Sequence, residues 1–109
     1  MKKTTILLIS ILTVCCVGTI SFAAEKAAKD TGEAEFKEHC ALCHPDGGNI
    51  VNPKKTLHKK NREANNIRKE ADIIKTIRKP GPGMTAFDEK TISDNEAKEI
   101  AKYIFKAFK

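Results

Sequence analysis

The sequence predicts a small all-α fold. Apolar residues recur at helical spacing in three stretches, and two of these begin with capping-box spacing, in which a polar residue precedes a Glu by three positions. No pair of segments has the alternating pattern of paired strands. A chain this short has difficulty burying a sufficient core by itself, so its few helices need a further centre to pack around.

The first predicted helix begins near Asp30, which has capping-box spacing with Glu33. The positions of Phe36, Cys40 and Cys43 follow i, i+4, i+7 and place them on one face. This pattern predicts a helix that continues into the cysteine pair.

Turn residues dominate residues 45–53, and the charged segment 58–66 predicts a short surface helix or an ordered loop. Isoleucines at helical spacing predict a helix from about residue 70 to 79, which Pro80 ends. A stiff Pro/Gly loop follows over residues 80–84.

The last predicted helix begins at Ser93, and Glu96 completes its capping box. Its apolar face is formed by Ala97, Ile100, Ala101, Ile104 and Phe108.

The strongest motif is Cys40-Ala41-Leu42-Cys43-His44, a C-x-x-C-H run typical of covalent c-type haem attachment. Cysteines three apart on a helix face one side and reach two vinyl groups along one haem edge, and the adjacent imidazole is a good iron ligand. A structural zinc site requires four ligands, usually in two pairs, and the sequence has no second pair. A thioredoxin-like motif requires a βαβ context, which is absent from the pattern.

Residues 1–23 are predicted to be a secretory signal peptide, which leaves a mature domain of 86 residues over 24–109. Two lysines precede an apolar segment, and small residues at Ser21 and Ala23 predict cleavage before Ala24. The apolar run over residues 6–24 is also near the length of an uncleaved membrane anchor. A lipoprotein cysteine is disfavoured because Val14, before Cys15, is branched.

Cleavage changes both the cysteine count and the charge. Cys15 and Cys16 leave with the signal peptide, so Cys40 and Cys43 remain as the only mature thiols. Thioether bonds to haem would use both, which leaves no free thiol in an oxidising compartment. The formal charge falls from +6 to +4, because two lysines and no acid are removed.

Positive charge is concentrated over residues 54–79, where ten Lys and Arg face three acids. This pattern indicates either an ordinary solvated surface or a patch that steers an acidic redox partner.

Met84 is the only thioether of the mature chain and lies on the Pro/Gly loop, where its side chain could reach the far side of a haem. We therefore predict Met84 as the sixth ligand, opposite His44. His39 directly precedes Cys40, which keeps it on the same side of the haem as His44, and His58 has charged neighbours. Neither histidine is therefore expected to be the sixth ligand.

The chain resembles class I monohaem cytochromes c, and within them the cytochrome c6 group. The resemblance covers nearly the whole mature chain and rests on Gly32-x-x-x-Phe36, the C-x-x-C-H run, Gly47-Gly48-Asn49-Ile50, Pro53-Lys54-Lys55-Thr56-Leu57, Gly83-Met84 and Tyr103-Ile104-Phe105-Lys106. The sequence departs from many relatives at Thr85, where they have Pro after the ligand Met.

The resemblance implies a class I cytochrome c fold, with helices packed around one covalently bound haem c and its iron. It implies His44 and Met84 as axial ligands, and a crossing of the first and last helices near Gly32, with Phe36 near Tyr103. It also implies that the carbonyl of Pro53 accepts a hydrogen bond from the free ring nitrogen of His44.

With both axial positions filled, one-electron transfer is the chemistry that remains, so we expect a periplasmic electron carrier instead of an enzyme. The expected partners are donor and acceptor redox proteins with acidic docking surfaces; nucleic acid, a membrane contact of the mature form and oligomers are not expected. The rival is a small haem peroxidase or gas-binding protein with a displaceable Met. A haem sensor is disfavoured because no output domain is attached.

Overall fold

The computed structural model describes residues 31–109, and within this range every regular element is helical. We number the helices α1 (residues 31–39), α2 (Lys59–Ala64), α3 (Glu70–Arg78) and α4 (Asp94–Ala107). A 3₁₀ turn, Pro45–Gly47, lies between α1 and α2, and no residue from 31 to 109 forms a strand. The predicted all-α class is confirmed.

Helix α4 is the centre of the core. Its predicted capping box is present: Ser93 N donates to Glu96 Oε2 at 2.7 Å, and Glu96 N donates to Ser93 Oγ at 3.3 Å. The predicted apolar face is buried, and α3 packs against α4. The buried core residues are Phe36, Ile73, Ile77, Ile92, Ala97, Ile100, Ala101, Ile104 and Phe108.

Helices α1 and α4 cross at Gly32, as the resemblance implied. A Cβ atom at Gly32 would lie 2.9 Å from the carbonyl carbon of Glu99 and 3.3 Å from Cβ of Tyr103. Next to this crossing, the rings of Phe36 and Tyr103 pack with centroids 5.2 Å apart. Only a residue without a side chain permits this approach of two backbones.

Helix α1 ends earlier than predicted, at residue 39, so the cysteine pair lies in the turn that follows it. Two backbone hydrogen bonds hold this turn, from Cys43 N to Cys40 O at 3.2 Å and from His44 N to Cys40 O at 2.9 Å. The second has α-helical i to i−4 spacing. The turn therefore preserves one helical repeat between Cys40 and His44 although the helix itself has ended.

Phe108 follows α4 and packs between the core and the 3₁₀ turn. Its ring packs on Phe36 and Tyr103, with centroids 5.5 and 5.9 Å away, and contacts His58 edge-on at 5.7 Å. A Cβ atom at Gly47 would lie 2.7 Å from Cγ of Phe108, and φ at Gly47 is +76°. Gly47 is thus required both by its conformation and by the ring beside it.

The start of α3 is fixed by Asp72, which the sequence analysis did not single out. Its carboxylate accepts from Arg68 N at 2.9 Å and from Lys69 N at 3.1 Å. These backbone donors, that of Arg68 most strongly, lower the pKa of Asp72.

The predicted signal peptide, its cleavage site and the Asp30 cap lie outside the described residues. Among residues 31–109, no helix is long and apolar enough to cross a membrane.

Candidate haem-binding site

The predicted haem residues meet at one cavity of about 460 Å³. Its lining includes Cys40, Cys43 and His44 from the turn after α1, and Met84 from the Pro/Gly loop. The apolar part of the wall includes Leu57, Ile67, Ile73, Ile77, Phe87, Ile100 and Ile104. A volume of this size is ordinary for a cofactor site. Two thiols, an imidazole and a thioether on an aliphatic wall are a donor set that fits haem c.

His44 is well prepared to act as a ligand because its ring is buried and oriented. The residue is 9% exposed, and its Nδ1 lies 2.8 Å from the carbonyl oxygen of Gly48. A hydrogen bond from Nδ1 to a carbonyl leaves Nε2 as the nitrogen available to a metal. The resemblance implied that Pro53 O would accept this hydrogen bond from His44, and that expectation was wrong. Pro53 O instead accepts a hydrogen bond from Asn61 Nδ2, at 3.3 Å. The carbonyl of Gly48 is the acceptor because the 3₁₀ turn brings it close to the His44 ring.

The two cysteines differ in environment. Cys40 is partly buried against the core, and this burial raises the pKa of its thiol to about 11. Cys43 is exposed. Until a haem is attached, burial therefore favours the thiol form of Cys40, which is less nucleophilic and less easily oxidised than a thiolate.

Asparagine side chains shape the loop over residues 49–56, which forms the polar wall of the cavity. Oδ1 of Asn49 accepts from Val51 N at 2.9 Å and Asn52 N at 2.8 Å, while its Nδ2 donates to Lys55 O at 2.9 Å. From α2, Asn61 donates to Thr56 Oγ1 at 2.8 Å. These amides replace backbone pairing and hold an otherwise irregular segment in one shape.

Met84 follows a glycine whose backbone requires its small size. Gly83 has φ of +88°, and a Cβ atom there would lie 3.0 Å from Cγ1 of Val51. The loop that carries Met84 thus lies against the asparagine-held loop at Val51. His58, by contrast, is exposed and is not among the residues that line the cavity.

Arg62 is the main residue that the sequence analysis misjudged. It was counted in the basic patch, but it is only 4% exposed, and its Nη1 donates to the carbonyls of Leu57 at 2.6 Å and Phe108 at 2.9 Å. Its guanidinium also stacks on Phe105 at 4.2 Å. Burial lowers its pKa. No signal in the sequence separates this arginine from its charged neighbours.

Two members of the predicted basic patch are therefore not free surface charges. Arg62 is buried, and Arg78 is paired with Asp94 at 2.8 Å. The remaining eight cations of residues 54–79 are exposed. Lys55 and Lys79 among them also line the cavity, so positive charge stands beside its mouth.

Comparison with known proteins shows which family the chain belongs to. The family model described as "Cytochrome C oxidase, cbb3-type, subunit III" matches residues 27–104. Cytochrome c6 of Porphyra purpurea is 33% identical over 106 residues, covering 95% of this chain and 93% of that protein. Cytochrome c6 of Cyanidium caldarium is 30% identical over 99 residues, covering 91% and 89%. The chain belongs to the class I cytochrome c family and is cytochrome c6-like.

Solved structures agree. Outer membrane cytochrome F from Geobacter sulfurreducens is 49% identical with a TM-score of 0.69, over 72% of this chain and 99% of that one. Cytochrome c6A from Arabidopsis thaliana is 29% identical with a TM-score of 0.68, over 73% and 90%. The family carries one covalently bound haem c with its iron, so this chain is a monohaem cytochrome and an electron carrier.

Proposed function

We propose that this protein is a periplasmic one-electron carrier in which Cys40 and Cys43 attach the haem and His44 and Met84 bind its iron. The observation that carries the proposal is the single cavity lined by all four residues. When bound, the haem supplies one-electron chemistry between ferric and ferrous iron.

The chain's own residues would set the conditions for this chemistry. His44 would use Nε2 to bind the iron, because Nδ1 is hydrogen-bonded to Gly48 O. Met84 would supply the second iron ligand from a loop whose path is restricted by Gly83 and Val51. The isoleucine-rich wall would exclude water from a bound haem, which would disfavour the extra positive charge of the oxidised state and so favour a high potential.

The ligand assignment is tested with Met84→Ala, because a lost thioether opens a coordination position and lowers the potential. The variant should keep its covalent haem, bind carbon monoxide readily and gain some peroxidase activity. Wild type should show the weak long-wavelength sulfur-to-iron band in its ferric spectrum, and Met84→His should stay six-coordinate at a lower potential.

His58→Gln is the matched control, since His58 is the rival ligand and does not line the cavity. Its spectrum and potential should equal those of wild type. If wild type lacks the sulfur band and binds carbon monoxide as fast as Met84→Ala, the position is open. The peroxidase or gas-binding function would then replace the carrier.

We further propose that the exposed lysines beside the cavity mouth steer acidic redox partners. Association with a partner should slow steeply as salt rises, because surface charge is screened over about 8 Å at physiological ionic strength. Neutralising Lys54, Lys55 and Lys79 together should flatten that dependence. An unchanged salt slope in stopped-flow measurements would assign these residues to an ordinary solvated surface.

Periplasmic location is supported by the signal-like residues 1–23. Mass spectrometry of the native protein should give the chain from Ala24 plus one haem that survives denaturation. A mass that retains residues 1–23 would instead indicate the uncleaved anchor, and a lipid adduct on Cys15 or Cys16 would indicate a lipoprotein.

A further inference from the structure

A second group of metal-binding side chains lies on α1, outside the set proposed to hold the haem iron. Glu35, Glu38 and His39 occupy positions i, i+3 and i+4, so they share one face of the helix. One ligand atom from each lies within 4.8 Å of the other two. The helix thus brings an imidazole nitrogen and two carboxylate oxygens within 4.8 Å of one another.

The spacing of two of these groups matches that of two ligands on one ion. Nε2 of His39 lies 3.4 Å from Oε2 of Glu35. A charge-assisted hydrogen bond would be shorter, at about 2.7–2.9 Å. Two ligands on one tetrahedral zinc, with bonds of about 2.0–2.1 Å, stand about 3.3–3.4 Å apart.

The His39 ring is held in place by a different part of the chain. It packs edge-on against Phe87, with centroids 5.9 Å apart and an interplanar angle of 65°. The side chains of His39 and Glu35 are only 19% and 21% exposed. A ligand group that is already ordered loses less conformational entropy when it binds an ion.

The charge balance around this cluster also favours a cation. Four other acids among the described residues are paired with a lysine or arginine, including Glu33 with Lys37 and Glu99 with Lys102. Within residues 31–109, neither Glu35 nor Glu38 forms an ion pair with Lys or Arg.

We propose that Glu35, Glu38 and His39 form a binding site for a divalent transition-metal ion of the Zn²⁺ class. One imidazole and two carboxylates are ligands that zinc accepts, and three protein ligands leave a fourth position for water. The site is independent of the iron ligands proposed above.

The position of this site links it to the redox state of the haem. Glu38 and His39 also line the haem cavity, and His39 directly precedes Cys40. A bound dication there disfavours the extra positive charge of ferric iron, so metal binding raises the reduction potential. By thermodynamic linkage, the ferrous protein binds the metal more tightly than the ferric protein, and the ratio of these two affinities determines how far the potential shifts.

The test is a calorimetric titration of zinc chloride into the ferric holoprotein. We expect one equivalent to bind, and His39→Gln and Glu35→Gln each to weaken binding by about tenfold or more, because even outer-shell changes at metal sites cost about 10–100-fold. The exposed Glu38→Gln provides a third variant whose folding is not at risk. Unchanged haem spectra confirm that each variant is folded.

Two controls separate this site from adventitious binding. Glu33→Gln alters the same helix at a lysine-paired acid, and His58→Gln removes the exposed histidine; both should bind zinc as wild type does. The proposal is wrong if His39→Gln leaves the titration unchanged, or if His58→Gln weakens it as much. In spectroelectrochemistry, zinc should raise the wild-type potential but not that of His39→Gln, and an equal shift in both would also overturn it.

Discussion

Replacing Arg62 by Met removes the buried cation that joins α2 to the end of α4 while keeping an apolar stem of similar length. Two short hydrogen bonds are lost, to Leu57 O and Phe108 O, together with a longer one of 3.4 Å to Ile104 O. Ile104 O keeps a partner because it also accepts from Phe108 N at 3.1 Å. The change therefore affects mainly the two short bonds and the stacking on Phe105.

The magnitude follows from opposing contributions. Hydrogen bonds to a charged donor contribute about 1.5–3 kcal/mol each, so the two short ones give about 3–6 kcal/mol. Stacking of the guanidinium on an aromatic ring adds about 1 kcal/mol. Against this, Nε of Arg62 is buried without a partner, which costs about 1–3 kcal/mol. These contributions together span about 1–6 kcal/mol, and we expect Arg62→Met to lower the free energy of unfolding by about 3–4 kcal/mol, the middle of that range.

Urea unfolding of the ferric holoprotein, followed by far-ultraviolet circular dichroism, measures this loss. With a denaturant slope of about 1–2 kcal/mol/M, the midpoint should fall by about 1 M or more. Arg68→Met is the matched control, since Arg68 is exposed beside the same residues, and its effect should stay within about 0.5 kcal/mol. If Arg62→Met is as stable as wild type, the desolvation cost of the cation cancels its bonds and the reasoning fails.

Two further predictions concern the helix crossing and the α4 cap. Gly32→Ala should lower the free energy of unfolding by about 1–3 kcal/mol in the same assay, because its Cβ would meet the backbone of Glu99, and an unaffected midpoint would argue against the tight crossing. Glu96→Gln should flatten the acid limb of the stability profile. The N–H of Ser93 lowers the pKa of Glu96, so its contribution is present above the ordinary value of 4.5 and is lost as pH falls through the lowered one. An acid limb as steep as that of wild type would contradict this role.

The sequence predicted the features that depend on local pattern. The α4 cap at Ser93 and Glu96 was predicted correctly because a capping box is formed by residues three positions apart. The end of α3 before Pro80 followed from proline chemistry. The crossing at Gly32 came from resemblance, since spacing alone does not say which helix a glycine faces.

Other features depend on residues far apart in the chain. Arg62 and Arg78 looked like members of a surface patch, because composition cannot distinguish a cation in water from one with a distant partner. Arg62 binds carbonyls 42 and 46 positions away, and Arg78 pairs with Asp94, 16 positions away. The partner of His44 was misjudged for a related reason. Gly48 O reaches Nδ1 only through the path of the 3₁₀ turn, with Asp46 at φ of +51° and Gly47 at +76°.

By itself, the sequence determined the chemistry of the chain: two thiols and a histidine at haem spacing, one thioether on a Pro/Gly loop, and helices with their own start and stop signals. These features depend on residues that are close together in the chain, so the sequence alone predicts them. The tertiary structure decided which of these groups share one cavity, which cations are buried and how Glu35, Glu38 and His39 relate to the haem wall. Such relations follow from how helices pack, and packing is determined by the whole core.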